Sequence, residues 1–111
     1  MEENFLYKIT DKFHITGRGN VVLGTIQSGS ISVGDKVLVI KINEKAKLFI
    51  DEYEMTIKKM EGFRKDNITF AQMGDAVAIY LEGIEQFKLA KGIYIAAGQG
   101  IIELKNRLIN I

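Results

Sequence analysis

The chain has 111 residues, of which 47% are hydrophobic, 26% charged and 9% aromatic, the length and mix of one compact globular domain. Fifteen Lys and Arg against fourteen Asp and Glu leave a net charge of +1, which argues against a strongly electrostatic DNA, RNA or membrane binder and leaves room only for a local basic patch. With no cysteine there is no thiol nucleophile, disulfide framework or Cys-based zinc site, and the single histidine, His14, removes most imidazole chemistry.

No run approaches the roughly 20 apolar residues that cross a bilayer, and the opening Met1-Glu2-Glu3-Asn4 is acidic where a secretory signal is basic, so the sequence predicts a cytoplasmic protein. Proline is absent and no Ser/Gly-rich linker divides the chain, so residues 1–111 read as one domain with a core over about 5–97 and a tail over 98–111. Eleven glycines instead cut the chain into short runs of Val, Ile, Phe, Tyr and Thr, the pattern of an all-β sandwich or barrel.

In chain order, Phe5 to Ile15 predicts a first strand with a bend or bulge between Ile9 and Phe13, followed by a turn over Gly17-Arg18-Gly19-Asn20. Val21 to Gln27 predicts a second strand, with Gly24 marking a bulge or close backbone approach and Ser28-Gly29-Ser30 ending it. Ile31 to Asp35 is a tight connection into the β-branched run Lys36 to Ile42, and Asn43 to Lys47 a polar turn. Leu48 to Tyr53 and Met55 to Phe63 fit either a hairpin or one strand with an excursion, while Ala76 to Leu81 and Gly92 to Ala97 read as strands. Ile101, Leu104, Leu108 and Ile111 recur at three- and four-residue spacing, which suits a short amphipathic helix or a final strand.

Catalytic motifs are missing. Gly19 to Gly24 and Gly29 to Gly34 have the glycine gap of a phosphate-binding loop but continue Thr25-Ile26 and Asp35-Lys36, without the required Lys and hydroxyl. Gly17 and Gly19 fail the dinucleotide fingerprint because position 22 is Val. His14, between Phe13 and Ile15, reads as an outward strand residue rather than a triad member. Asp51, Glu52 and Glu54 read as a solvated turn rather than a cation site, and Asn67-Ile68-Thr69 as an accidental glycosylation match. No enzyme activity, metal or cofactor is expected. The one local charge feature is basic: Lys58, Lys59, Arg64 and Lys65 bracket Met60-Glu61-Gly62-Phe63, where Phe63 and Arg64 together suit the stacking and clamping of a base.

The stretch from Lys12-Phe13-His14-Ile15-Thr16-Gly17-Arg18-Gly19-Asn20-Val21-Val22-Leu23-Gly24 through Val33-Gly34-Asp35-Lys36-Val37 resembles the opening of the second domain of elongation factor Tu. Met60-Glu61-Gly62-Phe63-Arg64-Lys65, Ala71-Gln72-Met73-Gly74-Asp75-Ala76-Val77 and Leu81-Glu82-Gly83-Ile84 continue the resemblance in order, from about Phe5 to about Ala97. It implies a closed antiparallel Greek-key β-barrel of about six strands, as in the translational GTPases. It also implies that Ile15, Gly17, Val21 and Glu61 line a pocket for the terminal adenosine of tRNA, with Arg64 near the aminoacyl end.

The departures are specific. These residues carry no GTPase domain, so GTP hydrolysis is not expected of them. Thr10 stands before Asp11 where elongation factors carry an acidic residue, and Ala76 follows Asp75 where they carry Asn, both beside the aminoacyl group in the family. The stretch from Ile42 to Thr56 is longer than in elongation factor Tu, and the tail from Ile101 replaces the run into a third domain. Two functional readings follow: a barrel that binds the 3′ end of tRNA or another RNA, and a protein-interaction module, partnered by a translational GTPase or by a second copy through the Ile-rich tail. Neither reading involves DNA or a membrane.

Overall fold

The computed structural model describes residues 4–15, 19–62, 65–81 and 93–109. Eight strands precede one helix: β1 (Phe5–Ile15), β2 (Gly19–Ser32), β3 (Lys36–Asn43), β4 (Leu48–Gly62), β5 (Lys65–Ile68), β6 (Phe70–Gln72), β7 (Ala76–Leu81), β8 (Ile93–Ala97) and α1 (Gln99–Ile109). Hydrogen bonding runs β1-β8-β3-β4-β7-β2, and β2 pairs with β1 to close the ring, so six antiparallel strands form a barrel. The remaining two, β5 and β6, add to β4 and β2 outside the ring.

Alternation along each strand fills the barrel. Val22 and Ile26 of β2, Val37 and Val39 of β3, Ile57 and Met60 of β4, Val77 and Ile79 of β7, and Ile93 and Ile95 of β8 meet in its interior. The Tyr7 ring lies among them, stacked on Phe5, and its hydroxyl donates to the Val77 carbonyl at 2.7 Å. Gly24 makes room for it, because a side chain there would strike both the Lys8 carbonyl and the Tyr7 ring. The register of β1 on β2 slips between Leu6 and Tyr7 and between Ile9 and Asp11, so of the bend or bulge expected after Ile9 the bulge is the one formed, and Gly24 sits opposite Ile9 beside it.

Two local expectations change, and one alternative that the sequence leaves open is decided. Ser28-Gly29-Ser30 does not end β2; Gly29 takes a φ of +76°, kinks the strand without breaking it, and lets pairing continue to Ser32 with Phe70. Leu48 to Gly62 is one strand that changes partners: its first half pairs with β3 and its second, from Ile57, with β7. Asp51, Glu52 and Glu54 are therefore strand residues opposite Lys41, Ile40 and Leu38 rather than a turn. The short strands β5 and β6 had no counterpart in the sequence reading.

Of the tail's two alternatives, the helix is the one formed. It packs on the outer wall of β1, β8 and β3, where Leu104 is buried against Leu6, Ile40, Ile42, Tyr94 and Ala96. Its start is fixed closely: Gln99 N–H donates to Asn4 Oδ1 at 3.0 Å, and a side chain at Gly100 would collide with the Phe5 carbonyl. Farther along, Ser28 Oγ donates to Glu103 Oε2 at 2.9 Å and Arg107 Nη1 to Gln27 Oε1 at 2.8 Å. Sandwiched between core and helix, β8 is buried on both faces, which explains its uninterrupted apolar run Ile-Tyr-Ile-Ala-Ala.

Candidate functional site

The wall formed by β1, β2, β7 and β4 has no helix on it among the described residues. Register places two cross-strand rows on its outer face. Phe13, Val21, Tyr80 and Lys59 form one; Asp11, Leu23, Ala78 and Glu61 form the next. In the first row Val21 is buried and Phe13 is half exposed. The second opens into a groove of about 350 Å³ lined by Thr10, Leu23, Gly24, Thr25, Glu61, Gly62, Ala76, Val77 and Ala78. Its volume falls at the small end of ligand sites, which span about 300–1,000 Å³. The hollow exists because β7 alternates small outward residues, Ala76 and Ala78, with large inward ones, and because Gly24 and Gly62 present only backbone.

Charge sits on one side of this groove. The Glu61 carboxylate accepts from the Tyr80 hydroxyl at 3.2 Å and pairs with the Lys59 ammonium at 3.1 Å, while that ammonium lies 5.4 Å from the centre of the Tyr80 ring. Lys59 is thus committed to Glu61 and Tyr80. Across the groove, the Thr10 hydroxyl donates to the Leu23 carbonyl at 3.1 Å, which fixes the bulged residue of β1. The wall therefore offers a small-residue floor, an aliphatic side in Leu23, hydroxyls from Thr10 and Thr25, and one carboxylate held in place by a phenol and an ammonium.

The residues singled out in the sequence distribute as follows. Glu61 lines the groove, and Val21 lies on the same wall one row away. Ile15 ends β1 opposite Gly19, its side chain outside the described residues, as is that of His14. Gly17, Phe63 and Arg64 also lie outside the described residues. Lys58 is exposed at the irregularity between Ile57 and Lys59, and Lys65 is exposed at the start of β5. Thr10 and Ala76, noted as departures from the elongation factor pattern, both line the groove with Glu61. Sequence reasoning missed Tyr80, Lys59 as its partner, and Leu23. The outward phase of Tyr80 in Ala-Val-Ala-Ile-Tyr-Leu was available as a signal, but its pairing with Lys59 depends on register.

The Asp51, Glu52 and Glu54 stretch gathers no further ligands, and no group of three or more acidic or histidine side chains suited to a metal occurs among the described residues. No helix of the described residues is long and apolar enough to cross a membrane. The architecture is that of a closed six-stranded antiparallel β-barrel with two added strands and a C-terminal helix. No protein-family model matches the chain.

Proposed function

We propose that the chain is a non-enzymatic barrel of the kind found as the second domain of elongation factor Tu, and that it binds the 3′ end of a tRNA or another RNA on its open wall. One observation carries this reading: a single groove draws Thr10, Glu61 and Ala76 from three strands, and these are positions that the resemblance associates with the terminal nucleotide and its acyl group. A floor of small residues suits a flat base, Leu23 gives it an apolar side, and Glu61 supplies an acceptor for a base edge or ribose hydroxyl. Exposed Lys58 and Lys65 lie on β4 and β5 beside this wall and suit the phosphates that precede the terminal base. A translational GTPase is the protein partner consistent with this reading.

The test is an amide titration of the labelled protein with an acceptor-stem RNA ending in CCA, followed by NMR at two salt concentrations. Shifts are expected at Thr10, Ile15, Gly17, Val21, Leu23, Glu61, Arg64 and Ala78, with log affinity falling by about 0.7 per unit of log salt for each phosphate neutralised. Arg64→Ala is expected to cost on the order of 1–3 kcal/mol of binding. Silence at the groove with shifts confined to Lys58 and Lys65 removes the proposed site.

A further inference from the structure

Glu61 and Thr10 stand at opposite ends of the open groove, and each presents an acceptor to it. Along the row Glu61, Ala78, Leu23 and Asp11, strands β4, β7, β2 and β1 lie side by side. About 14 Å of sheet therefore separates the strand of Glu61 from that of Thr10, the residue before Asp11. The Tyr80 hydroxyl and the Lys59 ammonium both reach Glu61 on the same oxygen, Oε1. Paired with an ammonium, a carboxylate has room for about four hydrogen bonds and accepts in all of them. At the other end the Thr10 hydroxyl gives its one proton to the Leu23 carbonyl at 3.1 Å, which leaves its lone pairs for a ligand's donor.

The floor between these ends sets the shape of the donor. Ala76, Ala78 and the backbone of Gly24 and Gly62 form a low surface with Leu23 beside it, on which a planar ring lies flat. Glu61 is the cross-strand neighbour of Ala78, so a ring resting on Ala78 meets the carboxylate with its edge rather than its face. In a purine nucleoside the exocyclic substituent and the sugar leave the ring system at opposite ends, so an edge held at Glu61 carries the ribose toward Thr10. Lys59 decides between a charged and a neutral donor. Its ammonium already lies 3.1 Å from Glu61, and a ligand ammonium on the same carboxylate would meet like-charge repulsion. A neutral amino group brings the donor without the charge.

We infer that Glu61 selects the neutral exocyclic amino group of the terminal base, which lies on the Ala78 floor with its ribose at the Thr10 end. The inference rests on the groove binding the 3′ end of an RNA, and narrows the acceptor role of Glu61 to one donor of the base. Tyr80 and Lys59 act through Glu61 as positioning residues. The Thr10 hydroxyl accepts from a ribose hydroxyl at the far end.

The test uses the full chain and two acceptor-stem RNAs that differ only in the last nucleoside: adenosine in one, and in the other purine riboside, which has hydrogen in place of the amino group. NMR amide shifts report occupancy of the groove, and the titrations give the affinities. The adenosine-ended RNA is expected to bind about tenfold more tightly, as for a hydrogen bond to a charged group. Glu61→Ala is expected to bring the two RNAs to equal affinity, and Thr10→Val to weaken both alike and preserve the gap. If Glu61→Ala does not fold, the near-isosteric Glu61→Gln decides, because a neutral acceptor is expected to narrow the gap. Equal affinities for the parent protein with the groove amides shifted would overturn the inference and leave RNA binding standing. A gap that persists in Glu61→Ala and disappears in Thr10→Val puts the amino group at the other end and overturns it as well. Groove amides unmoved by either RNA would remove the RNA reading and this inference with it.

Discussion

Two walls of one barrel, built on the same alternation, meet solvent in opposite ways. On the wall of β1, β8 and β3 the outward residues include Leu6, Ile40, Ile42, Tyr94 and Ala96, too apolar to be left in water, and α1 lies over them with Leu104 as its buried anchor. On the wall of β2, β7 and β4 the outward residues are Val21, Leu23, Ala78, Tyr80, Lys59 and Glu61, and no described element covers them. Small residues there reduce the apolar surface, and the Tyr80 ring is covered by charged neighbours rather than by a helix. The contrast separates two uses of an outer face. The covered wall is a second core; the open wall carries the groove and has no cover among the described residues.

Truncation of the covered wall is expected to have the largest effect. Leu104→Ala removes the one helix side chain in that cluster that is fully buried among the described residues and should cost about 2–5 kcal/mol in urea unfolding. Gly100→Ala attacks the same contact from the backbone, because the new methyl must displace the helix start from the Phe5 carbonyl. Both variants should expose Leu6, Ile40 and Ile42 and raise the sedimentation coefficient through self-association. A monomeric, fully stable Leu104→Ala protein would mean that the wall needs no cover.

The next effect is in pH and again belongs to the covered wall and the core. Burial pushes the Tyr7 phenol well above its ordinary pKa. The Tyr94 hydroxyl is pushed up from 10.0 to about 12, first by burial, then by its hydrogen bond to Glu44 and that carboxylate's charge, against a smaller opposing pull from Arg107. A raised pKa means that folding favours the neutral phenol. The stabilisation is therefore complete below pH 10, declines as the unfolded phenols ionise, and for Tyr94 is gone above about pH 12. Denaturation midpoints followed upward from neutral pH should fall through this window, and Tyr94→Phe should flatten the fall. Identical slopes in the variant and the parent would remove Tyr94 from the account.

Much of the covered wall was legible in the sequence, whereas the open wall was legible only in part. The run from Ile93 to Ala97 announced a strand by its β-branched content, and Ile101, Leu104 and Leu108 carried a helical spacing too short to exclude a strand. What decided for the helix was tertiary: Asn4, almost the whole chain away, receives the Gln99 N–H. The partner change within β4 was hidden because Asp51, Glu52 and Glu54 imitate a polar turn, and a strand with no cover on either face has no alternation to read. At the groove, Glu61 came from the resemblance and Thr10 and Ala76 from departures within it, but Tyr80 and Lys59 meet through a register that no local spacing encodes.

The smallest expected effect tests the open wall directly. Lys59 and Glu61 are paired at 3.1 Å with side chains 34% and 23% exposed, so water screens much of their attraction. Lys59→Met keeps an unbranched aliphatic chain to cover Tyr80 and removes only the charge, and should cost less than about 1 kcal/mol in urea unfolding. That small loss should shrink further in high salt, as expected of a partly exposed pair. The Tyr80 hydroxyl still donates to Glu61 in the variant, so the carboxylate keeps that contact while the Lys59 charge beside it is removed. A loss as large as that of Leu104→Ala, and insensitive to salt, would make the open wall as structural as the covered one. Small destabilisation with an altered response to the CCA-ended RNA instead assigns the Lys59–Glu61 pair to the groove, where its charge acts on what binds rather than on the fold beneath.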